Sequence, residues 1–188
     1  MISCLKISPL LSEEQCKEIV RAEDLAFVAQ FPAKSRREEI LTWRALLYKK
    51  LAERVVIEYD QNGAPYILGS TLNIGVSHTK GCVAIVISDS PCAVDIENSG
   101  RDLSYAATRF ITPQENKLLS IPHALTIIWC AKECYYKLCR DTSLNILTDI
   151  VVTSIDLQQN RVTVVDSKGR NTTLCITYYD EYIVVYLA

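Results

Sequence analysis

The chain has 188 residues, of which 49% are hydrophobic and 22% charged, so it can bury a sizeable core in one domain or in two small packed ones. Its formal net charge of −2 argues against non-specific binding to nucleic acid, since such proteins are usually basic. No apolar run approaches the roughly 18 residues of a membrane span, and Met1-Ile2-Ser3-Cys4 opens no secretory signal. We expect a soluble, cytoplasmic monomer that binds neither nucleic acid nor membrane.

The eight cysteines are many for this length, but no Cys-x-x-Cys pair is present. Cys130 and Cys134 are one helical turn apart, yet zinc needs two more ligands and the chain has only two histidines, His78 and His123. We interpret the cysteines as reduced thiols that fill core positions, and not as a metal site.

The first third of the chain is predicted to be helical after a short strand at Met1–Ile7. Ser12-Glu13-Glu14-Gln15 resembles a capping box, and a periodic apolar pattern continues to Phe27. Pro32 interrupts this pattern. Ser35-Arg36-Arg37-Glu38 is then predicted to cap a second helix.

Two arginines of the second helix, Arg37 and Arg44, are seven residues apart and therefore lie on one side of it. Such a pair is either a solvated basic edge or a grip for a phosphate group. The spacing alone does not distinguish these two interpretations.

Short strands and tight turns are predicted next. Strands at Val55–Tyr59, Pro65–Ile67, Leu72–Ser77 and Cys82–Ser88 are linked by the turns Asp60-Gln61-Asn62-Gly63 and Thr79-Lys80-Gly81. Ser77 and His78 lie at a strand end, where backbone and hydroxyl donors can reach an anion. A lone histidine is more often structural, so this pair by itself favours a functional site only modestly.

A pair of carboxylates follows in a segment that has the pattern of a buried strand, Cys92-Ala93-Val94-Asp95-Ile96-Glu97. Asp95 and Glu97 are two residues apart, so on a strand both side chains point to the same face. Two carboxylates on one face repel each other unless something positive lies between them. This repulsion favours a site that holds a cation.

The stretch Ile127–Leu138 follows Pro122, contains neither glycine nor proline, and is predicted to be a helix of three turns or more. Trp129, Glu133 and Lys137 are four residues apart and form one stripe along it. On an isolated helix this stripe would more often be a solvated ion pair over a core tryptophan. The upstream carboxylate pair shifts the balance toward a functional site.

The remaining pattern predicts an α+β fold in two halves of similar size. Helical segments at Asp102–Phe110 and from Thr112 are followed, after Thr148, by strands at Ile150–Ile155, Arg161–Val165, Thr172–Tyr178 and Tyr182–Leu187. We place the boundary near Asp89-Ser90-Pro91. The predicted halves are residues 1–89 and residues 90–188, and the second carries the metal site.

Five motifs occur in an order that resembles the Sfp-type 4′-phosphopantetheinyl transferases. The motifs are Gly63-x-Pro65-Tyr66, Asn73-x-x-x-Ser77-His78, Val94-Asp95-Ile96-Glu97, Phe110-x-x-x-x-Glu115 and Trp129-x-x-Lys132-Glu133-x-x-x-Lys137. The Asp-x-Glu and Trp-x-x-Lys-Glu-x-x-x-Lys pieces are specific together and weak apart. The resemblance extends from about Arg36 to Leu144.

This resemblance implies an enzyme that moves the 4′-phosphopantetheine arm of coenzyme A onto a serine hydroxyl of an apo carrier protein and releases 3′,5′-ADP. The carrier would be of the acyl, polyketide or peptide-synthetase type. The implied fold is a pseudo-dimer of two α+β halves with the active site in the cleft between them. The implied metal is Mg²⁺, with Mn²⁺ as a substitute, and a hard cation of this kind suits carboxylate and phosphate oxygens.

The resemblance also implies roles for individual residues. Asp95, Glu97 and Glu133 match the metal ligands, and Glu133 also matches the general base. Lys137 matches a lysine near the diphosphate that stabilises the leaving group. Side chains that match coenzyme A contacts are Ser77, His78 and Lys132, with Arg37 and Arg44 as looser matches.

The chain is short for the family and has Ala93 where a glycine commonly precedes the Asp-x-Glu pair by two residues, a small change. Two further departures are larger. Ala64 stands where the family often has a lysine, and Asp141-Thr142-Ser143-Leu144 replaces a glycine-rich segment. Neither change removes a metal ligand, so an active transferase is expected. Two alternatives remain: a coenzyme A-binding relative with weak or lost transfer activity, and an unrelated Mg²⁺-dependent phosphohydrolase, which the tryptophan-containing helix does not support.

Overall fold

Ten strands, four α-helices and two 3₁₀ helices form the part of the chain that the computed structural model describes, residues 3–188. In chain order, the strands and α-helices are β1 (Ser3–Pro9), α1 (Glu13–Lys17), α2 (Ala22–Val28), α3 (Lys34–Leu51), β2 (Ile57–Tyr59), β3 (Pro65–Ile67), β4 (Asn73–Thr79), β5 (Cys82–Ser88), β6 (Ala93–Asn98), α4 (Ala124–Cys139), β7 (Ile150–Asp156), β8 (Arg161–Asp166), β9 (Asn171–Tyr179) and β10 (Tyr182–Leu187). The 3₁₀ helices are Ser104–Arg109 and Pro113–Leu118. This is a mixed α+β architecture with several sheets. The first two residues of the predicted strand Met1–Ile7 lie outside the described part.

The strands form three antiparallel sheets. The N-terminal sheet has the order β1-β5-β4, the C-terminal sheet has the order β6-β10-β9-β8-β7, and β2 pairs with β3. Helix α3 packs on β5, and α4 packs on β6 and β10. The two larger sheets differ in strand number, and the pseudo-dimeric relationship and the division at residue 89 both remain predictions.

Strand β5 is buried on both faces, which explains its continuous apolar sequence. One set of alternate residues, including Val83 and Ile85, belongs to the core under α3. The other set, including Ala84 and Val86, packs against Val94 in a core between the two larger sheets. The two sheets are therefore joined through a shared apolar layer.

Strands β4 and β6 approach each other closely where the two sheets meet, although no ladder of hydrogen bonds joins them. Gly75 allows this approach: a Cβ placed there would lie 2.8 Å from Val86 Cγ1 and 3.0 Å from the Ala93 Cα. Because real side chains do not tolerate such contacts, any larger residue at position 75 would push the strands apart. This seam forms the floor of the site described below.

The helical predictions for the first third of the chain are partly wrong. Ser12 and Gln15 do form the expected capping box, but the apolar pattern that follows folds into two short helices, α1 and α2. The carboxylate of Asp24 points into the core, where Arg44 and Tyr48 bind it. Helix α3 starts one residue before Ser35, and Ser35 is not its cap.

Five of the eight cysteines are buried, as predicted: Cys16, Cys82, Cys92, Cys130 and Cys134. The other three, Cys4, Cys139 and Cys175, are half-buried, so the predicted core placement is wrong for them. Burial raises the pKa of the Cys82 and Cys92 thiols to about 11. Within residues 3–188, all cysteines are free thiols. No helix in this same range is both long enough and apolar enough to cross a membrane.

Candidate active site

Strand β6 presents its two carboxylates on one face, as predicted from their spacing, and α4 lies over that face. Val94 and Ile96 point into the core between the sheets, so Asp95 and Glu97 point to the opposite face. Both carboxylates are almost fully buried. A buried charge is costly unless it is paired and hydrogen-bonded, so each needs identifiable partners.

Strand β4 supplies one such partner to each carboxylate. The Ser77 hydroxyl donates to Asp95 Oδ1 at 2.8 Å, and the Thr79 hydroxyl donates to Glu97 Oε1 at 2.5 Å. Ser77 and Thr79 are two residues apart on β4, just as Asp95 and Glu97 are on β6. The matching alternation brings two hydroxyls against two carboxylates across the seam.

Helix α4 covers this seam with the predicted stripe. Trp129, Glu133 and Lys137 line one cavity of about 340 Å³ together with Asp95 and Glu97. The fold thus brings the stripe of α4 and the carboxylate pair of β6, which lie far apart in the sequence, into one cavity. The packing of α4 on β6 and β10 produces this arrangement, because the rest of the helix is largely apolar.

A cation holds each of the two β6 carboxylates. Lys137 Nζ lies 2.6 Å from Asp95 Oδ1 and donates to the Ser77 hydroxyl at 3.1 Å. Burial opposes the charged ammonium, but Asp95 and then Glu133 outweigh it and raise the pKa of Lys137. Glu97 is bound by Arg101 at the edge of the cavity. Sequence reasoning missed the Arg101–Glu97 pair, although its spacing of four residues was visible.

Glu133 differs from the other two carboxylates because it has no counter-charge of its own. Among residues 3–188 it forms no ion pair within 4.0 Å and accepts no hydrogen bond; its side chain is half-buried. Burial and then the negative charge of Asp95 raise the pKa of Glu133, while Lys137 partly offsets this effect. A carboxyl with a raised pKa that lines a cavity is typical of functional sites.

Carboxylate is the type of donor that suits a hard divalent cation. Three carboxylates line one cavity, and one of them lacks a partner; carboxylate oxygens are the ligands that Mg²⁺ prefers. In the described part of the chain, however, no three Asp, Glu, His or Cys side chains converge closely enough to hold a metal together. Lys137 and Arg101 currently provide the positive charge that a bound cation would supply.

His78 lies beside the cavity and is held by two residues of α3. Arg36 Nη1 donates to His78 Nε2 at 2.6 Å, so this nitrogen is the acceptor and the ring is neutral. The other ring nitrogen, Nδ1, lies 3.3 Å from Glu39 Oε2. Burial lowers the pKa of His78; Arg36 lowers it further and Glu39 opposes this. Sequence reasoning did not assign Glu39 to this site.

The two arginines predicted to contact the coenzyme, Arg37 and Arg44, are engaged elsewhere. Arg37 binds Glu13 and the backbone carbonyl oxygens of Phe31 and Pro32. Arg44 is 3% exposed and binds Asp24 in the core under α3. The structure does not bring either guanidinium into the cavity, so the phosphate contact that the family resemblance implied for them is not formed here.

Lys132 also lies away from the cavity. Its side chain has no exposed surface, and its ammonium donates to the Phe110 carbonyl at 2.6 Å and to Glu115 Oε2 at 2.9 Å. The predicted contact with the coenzyme is therefore not available to Lys132 in this structure. The reason is geometric, because the residue before Glu133 lies about 100° around the helix from it.

A second cavity of about 260 Å³ lies further along the same seam, beside Lys137. It is lined mainly by apolar atoms and includes Gly63, Ala64 and Pro65 beside Tyr136. Lys137 and Val76 line both cavities. A ligand with a charged centre and a flat or apolar end could therefore extend from one cavity into the other.

Comparison with protein families gives one match. The model of the 4′-phosphopantetheinyl transferase superfamily matches residues 91–187, which is just over half of the chain. The chain therefore belongs to the 4′-phosphopantetheinyl transferase superfamily. The matched segment contains Asp95, Glu97, Glu133 and Lys137. A comparison with curated proteins finds no match.

Proposed function

We propose that this protein transfers the 4′-phosphopantetheine arm of coenzyme A to a serine hydroxyl of an apo carrier protein, in an Mg²⁺-dependent reaction that releases 3′,5′-ADP. Family membership supports phosphopantetheinyl transfer in general. The observation that carries the finer proposal is the cavity lined by Asp95, Glu97, Glu133 and Lys137. The carrier would be of the acyl, polyketide or peptide-synthetase type.

In this reaction the serine oxygen forms a bond to the phosphorus nearest the pantetheine arm, and the phosphoanhydride bond to the nucleotide breaks. Asp95, Glu97 and Glu133 would hold Mg²⁺, which when bound would neutralise charge on the diphosphate oxygens. The 3′,5′-ADP then leaves with the bonding electron pair.

Glu133 would take the proton of the serine hydroxyl. Its raised pKa makes it a better proton acceptor than an ordinary surface carboxylate, and within residues 3–188 no group donates a competing hydrogen bond to it. Glu133 would therefore act twice, as a metal ligand and as the general base. Proton removal makes the serine oxygen a stronger nucleophile.

Lys137 would stabilise the phosphate of the leaving nucleotide. The raised pKa keeps its ammonium charged near neutral pH, and the group lies where the two cavities meet. Its attraction to the leaving group increases as negative charge develops there, so it would act more strongly in the transition state than in the ground state. The second cavity, beside Ala64, would hold the nucleotide.

One alternative is a coenzyme A-binding relative with weak or lost transfer activity. The ion pairs Asp95–Lys137 and Glu97–Arg101 favour this alternative, because a metal would have to replace them. Ala64 also favours it, since a cation expected near the nucleotide is absent. This relative would bind the coenzyme without modifying a carrier.

Incubation with coenzyme A, Mg²⁺ and apo carriers of the three types tests the proposal. We expect release of 3′,5′-ADP with at least one carrier and none without a carrier. Coenzyme A binding by calorimetry without release would support the alternative. Release of nucleotide in the absence of any carrier would indicate a hydrolase and contradict both.

A further inference from the structure

Lys132 and Glu115 form a buried ion pair that neither the metal site nor the coenzyme site uses. Both side chains have no exposed surface, and the ammonium lies 2.9 Å from the carboxylate. Removing one member of such a pair leaves a buried charge without a partner, which is strongly unfavourable. The pair therefore constrains the relative position of α4, which contains Lys132, and the 3₁₀ helix Pro113–Leu118, which contains Glu115.

The pair ties together four segments of the chain. Glu115 Oε2 accepts from the backbone N–H and the hydroxyl of Thr112 at 2.7 and 2.9 Å. Glu115 Oε1 accepts from the Val152 N–H at the start of β7 at 2.7 Å. Lys132, on α4, donates to Glu115 Oε2 and also to the Phe110 carbonyl oxygen, at 2.6 Å. Both oxygens of the Glu115 carboxylate therefore accept hydrogen bonds: Oε2 from Thr112 and from Lys132 on α4, and Oε1 from Val152 on β7.

These hydrogen bonds of Lys132 and Glu115 restrict the orientation of α4 in particular. Most of the helix face that meets the sheet is apolar, and apolar packing is non-directional, so it tolerates small rotations. Hydrogen bonds to a fixed carboxylate and a fixed carbonyl do not tolerate them. Trp129, one turn before Glu133, packs edge-on against the Phe110 ring at 5.2 Å between centroids. Helix α4 therefore contacts Phe110 twice, through Trp129 at the ring and through Lys132 at the carbonyl oxygen.

We propose that Lys132 and Glu115 are positioning residues that set the rotation of α4 and thereby the position of the Glu133 carboxylate opposite Asp95. This inference rests on the proposed function of Glu133 as a metal ligand and base. Lys132 precedes Glu133 directly, so any rotation that moves one side chain moves the other. The pair acts through Glu133 and does not itself touch the substrate.

The test compares Lys132→Met with wild type by the rise in melting temperature that Mn²⁺ produces, with and without coenzyme A. Methionine keeps the length of the stem and removes the charge. We expect the apparent affinity for Mn²⁺ to fall about tenfold or more, the size of effect typical of outer residues that orient metal ligands. Turnover should fall about 10- to 100-fold, with the Michaelis constant for coenzyme A changed less than about threefold.

Glu115→Gln and the double variant Lys132→Met/Glu115→Gln keep the test decisive if the single lysine variant unfolds. The double variant leaves no unpaired buried charge, so it should regain stability without regaining Mn²⁺ affinity. Asp24→Asn is the matched control, because Asp24 is also a buried acid paired with a buried cation, but it lines none of the cavities. This control should lose stability and keep the Mn²⁺ response.

The outcomes separate the possible roles. A normal Mn²⁺ response and normal turnover per folded molecule in the Lys132 and Glu115 variants would overturn the positioning role. A Michaelis constant for coenzyme A raised tenfold at unchanged turnover would also overturn it, because Lys132 would then be a coenzyme ligand. Absence of any Mn²⁺ response in wild type would overturn the metal site and, with it, this inference.

Discussion

Lys137 Nζ lies 2.6 Å from Asp95 Oδ1, and this contact joins α4 to β6 at the point where the two larger sheets meet. The same ammonium donates to the Ser77 hydroxyl on β4 at 3.1 Å. One side chain therefore connects three elements and borders both cavities. The pairing neutralises a buried carboxylate and keeps a cation beside the space proposed for the diphosphate.

The first prediction concerns this lysine. Lys137→Ala should lower turnover about a hundredfold and change the Michaelis constant for coenzyme A much less, since its contact strengthens as the leaving phosphate gains charge. Steady-state kinetics at saturating Mg²⁺ measures both quantities. An effect confined to the Michaelis constant would make Lys137 a simple binding residue.

The second prediction concerns the proton acceptor. Glu133→Gln should reduce turnover about 10²- to 10⁴-fold, the usual contribution of a general base, and should weaken metal binding as well. Single-turnover rates at saturating Mg²⁺ separate these two effects. A loss of less than tenfold under those conditions would remove the general-base role from Glu133.

The sequence predicted most strands of the C-terminal half, and it predicted which side chains of β6 and α4 share one face. Alternation placed Asp95 and Glu97 on one face of β6, and a four-residue spacing placed Glu133 and Lys137 on one stripe of α4. Predicted and observed bounds of β5 and β10 agree at both ends. These patterns depend on local periodicity, which a single sequence contains.

The sequence could not predict which cations remain free. Arg37, Arg44 and Lys132 have the charge expected of phosphate contacts, but each is bound by partners that are distant in sequence. Arg44 is held by Asp24 on another helix, and Lys132 by Glu115. Such long-range pairs leave no periodic signal. Residue type and spacing therefore overestimated the number of coenzyme contacts.

The third prediction follows from the smaller number of free cations and concerns the 3′-phosphate of coenzyme A. On α3, Arg36 contacts His78, whereas Arg37 is bound to Glu13 and Arg44 to Asp24. Ala64 provides no cation, so wild type should discriminate only weakly between coenzyme A and dephospho-coenzyme A. Ala64→Lys should increase the preference about two- to tenfold, mainly through the Michaelis constant, and the gain should shrink at high salt.

Variants of the arginines provide the control for this prediction. If wild type already prefers coenzyme A by about a hundredfold, Arg36 carries the grip, and Arg36→Ala should abolish the preference. Arg37→Ala should leave the preference unchanged in either case, because Arg37 is bound to Glu13. A collapse of the preference in Arg37→Ala would contradict the placement of that side chain.

The fourth prediction concerns pH and the far side of α4. Asp166 accepts the Tyr135 hydroxyl at 3.0 Å; burial acts to raise its pKa, but the backbone N–H and the guanidinium of Arg170 outweigh burial and lower it to about 2. A lowered carboxyl pKa stabilises the fold fully above the ordinary value of 3.8, and this stabilisation is lost as the pH falls toward 2.

Asp166→Asn should therefore lower the melting temperature at pH 7, and the difference from wild type should shrink as the pH falls from the ordinary carboxyl pKa of 3.8 toward the lowered value of about 2. Thermal unfolding followed by circular dichroism across this range measures the difference. A difference in melting temperature that stays constant with pH would mean that Asp166 stabilises the fold through its packing and not through its charge.

The fifth prediction concerns Asp95 and tests the central claim most directly, through the intact mass of an apo carrier protein after incubation with coenzyme A and Mg²⁺. We expect wild type to add one phosphopantetheine arm to the carrier and a chelator to prevent this. Asp95→Ala should stay folded and add none, whereas the exposed Asp102→Ala control should behave as wild type. No mass gain with wild type on any carrier type, or an equal gain with Asp95→Ala, would contradict the proposed active site.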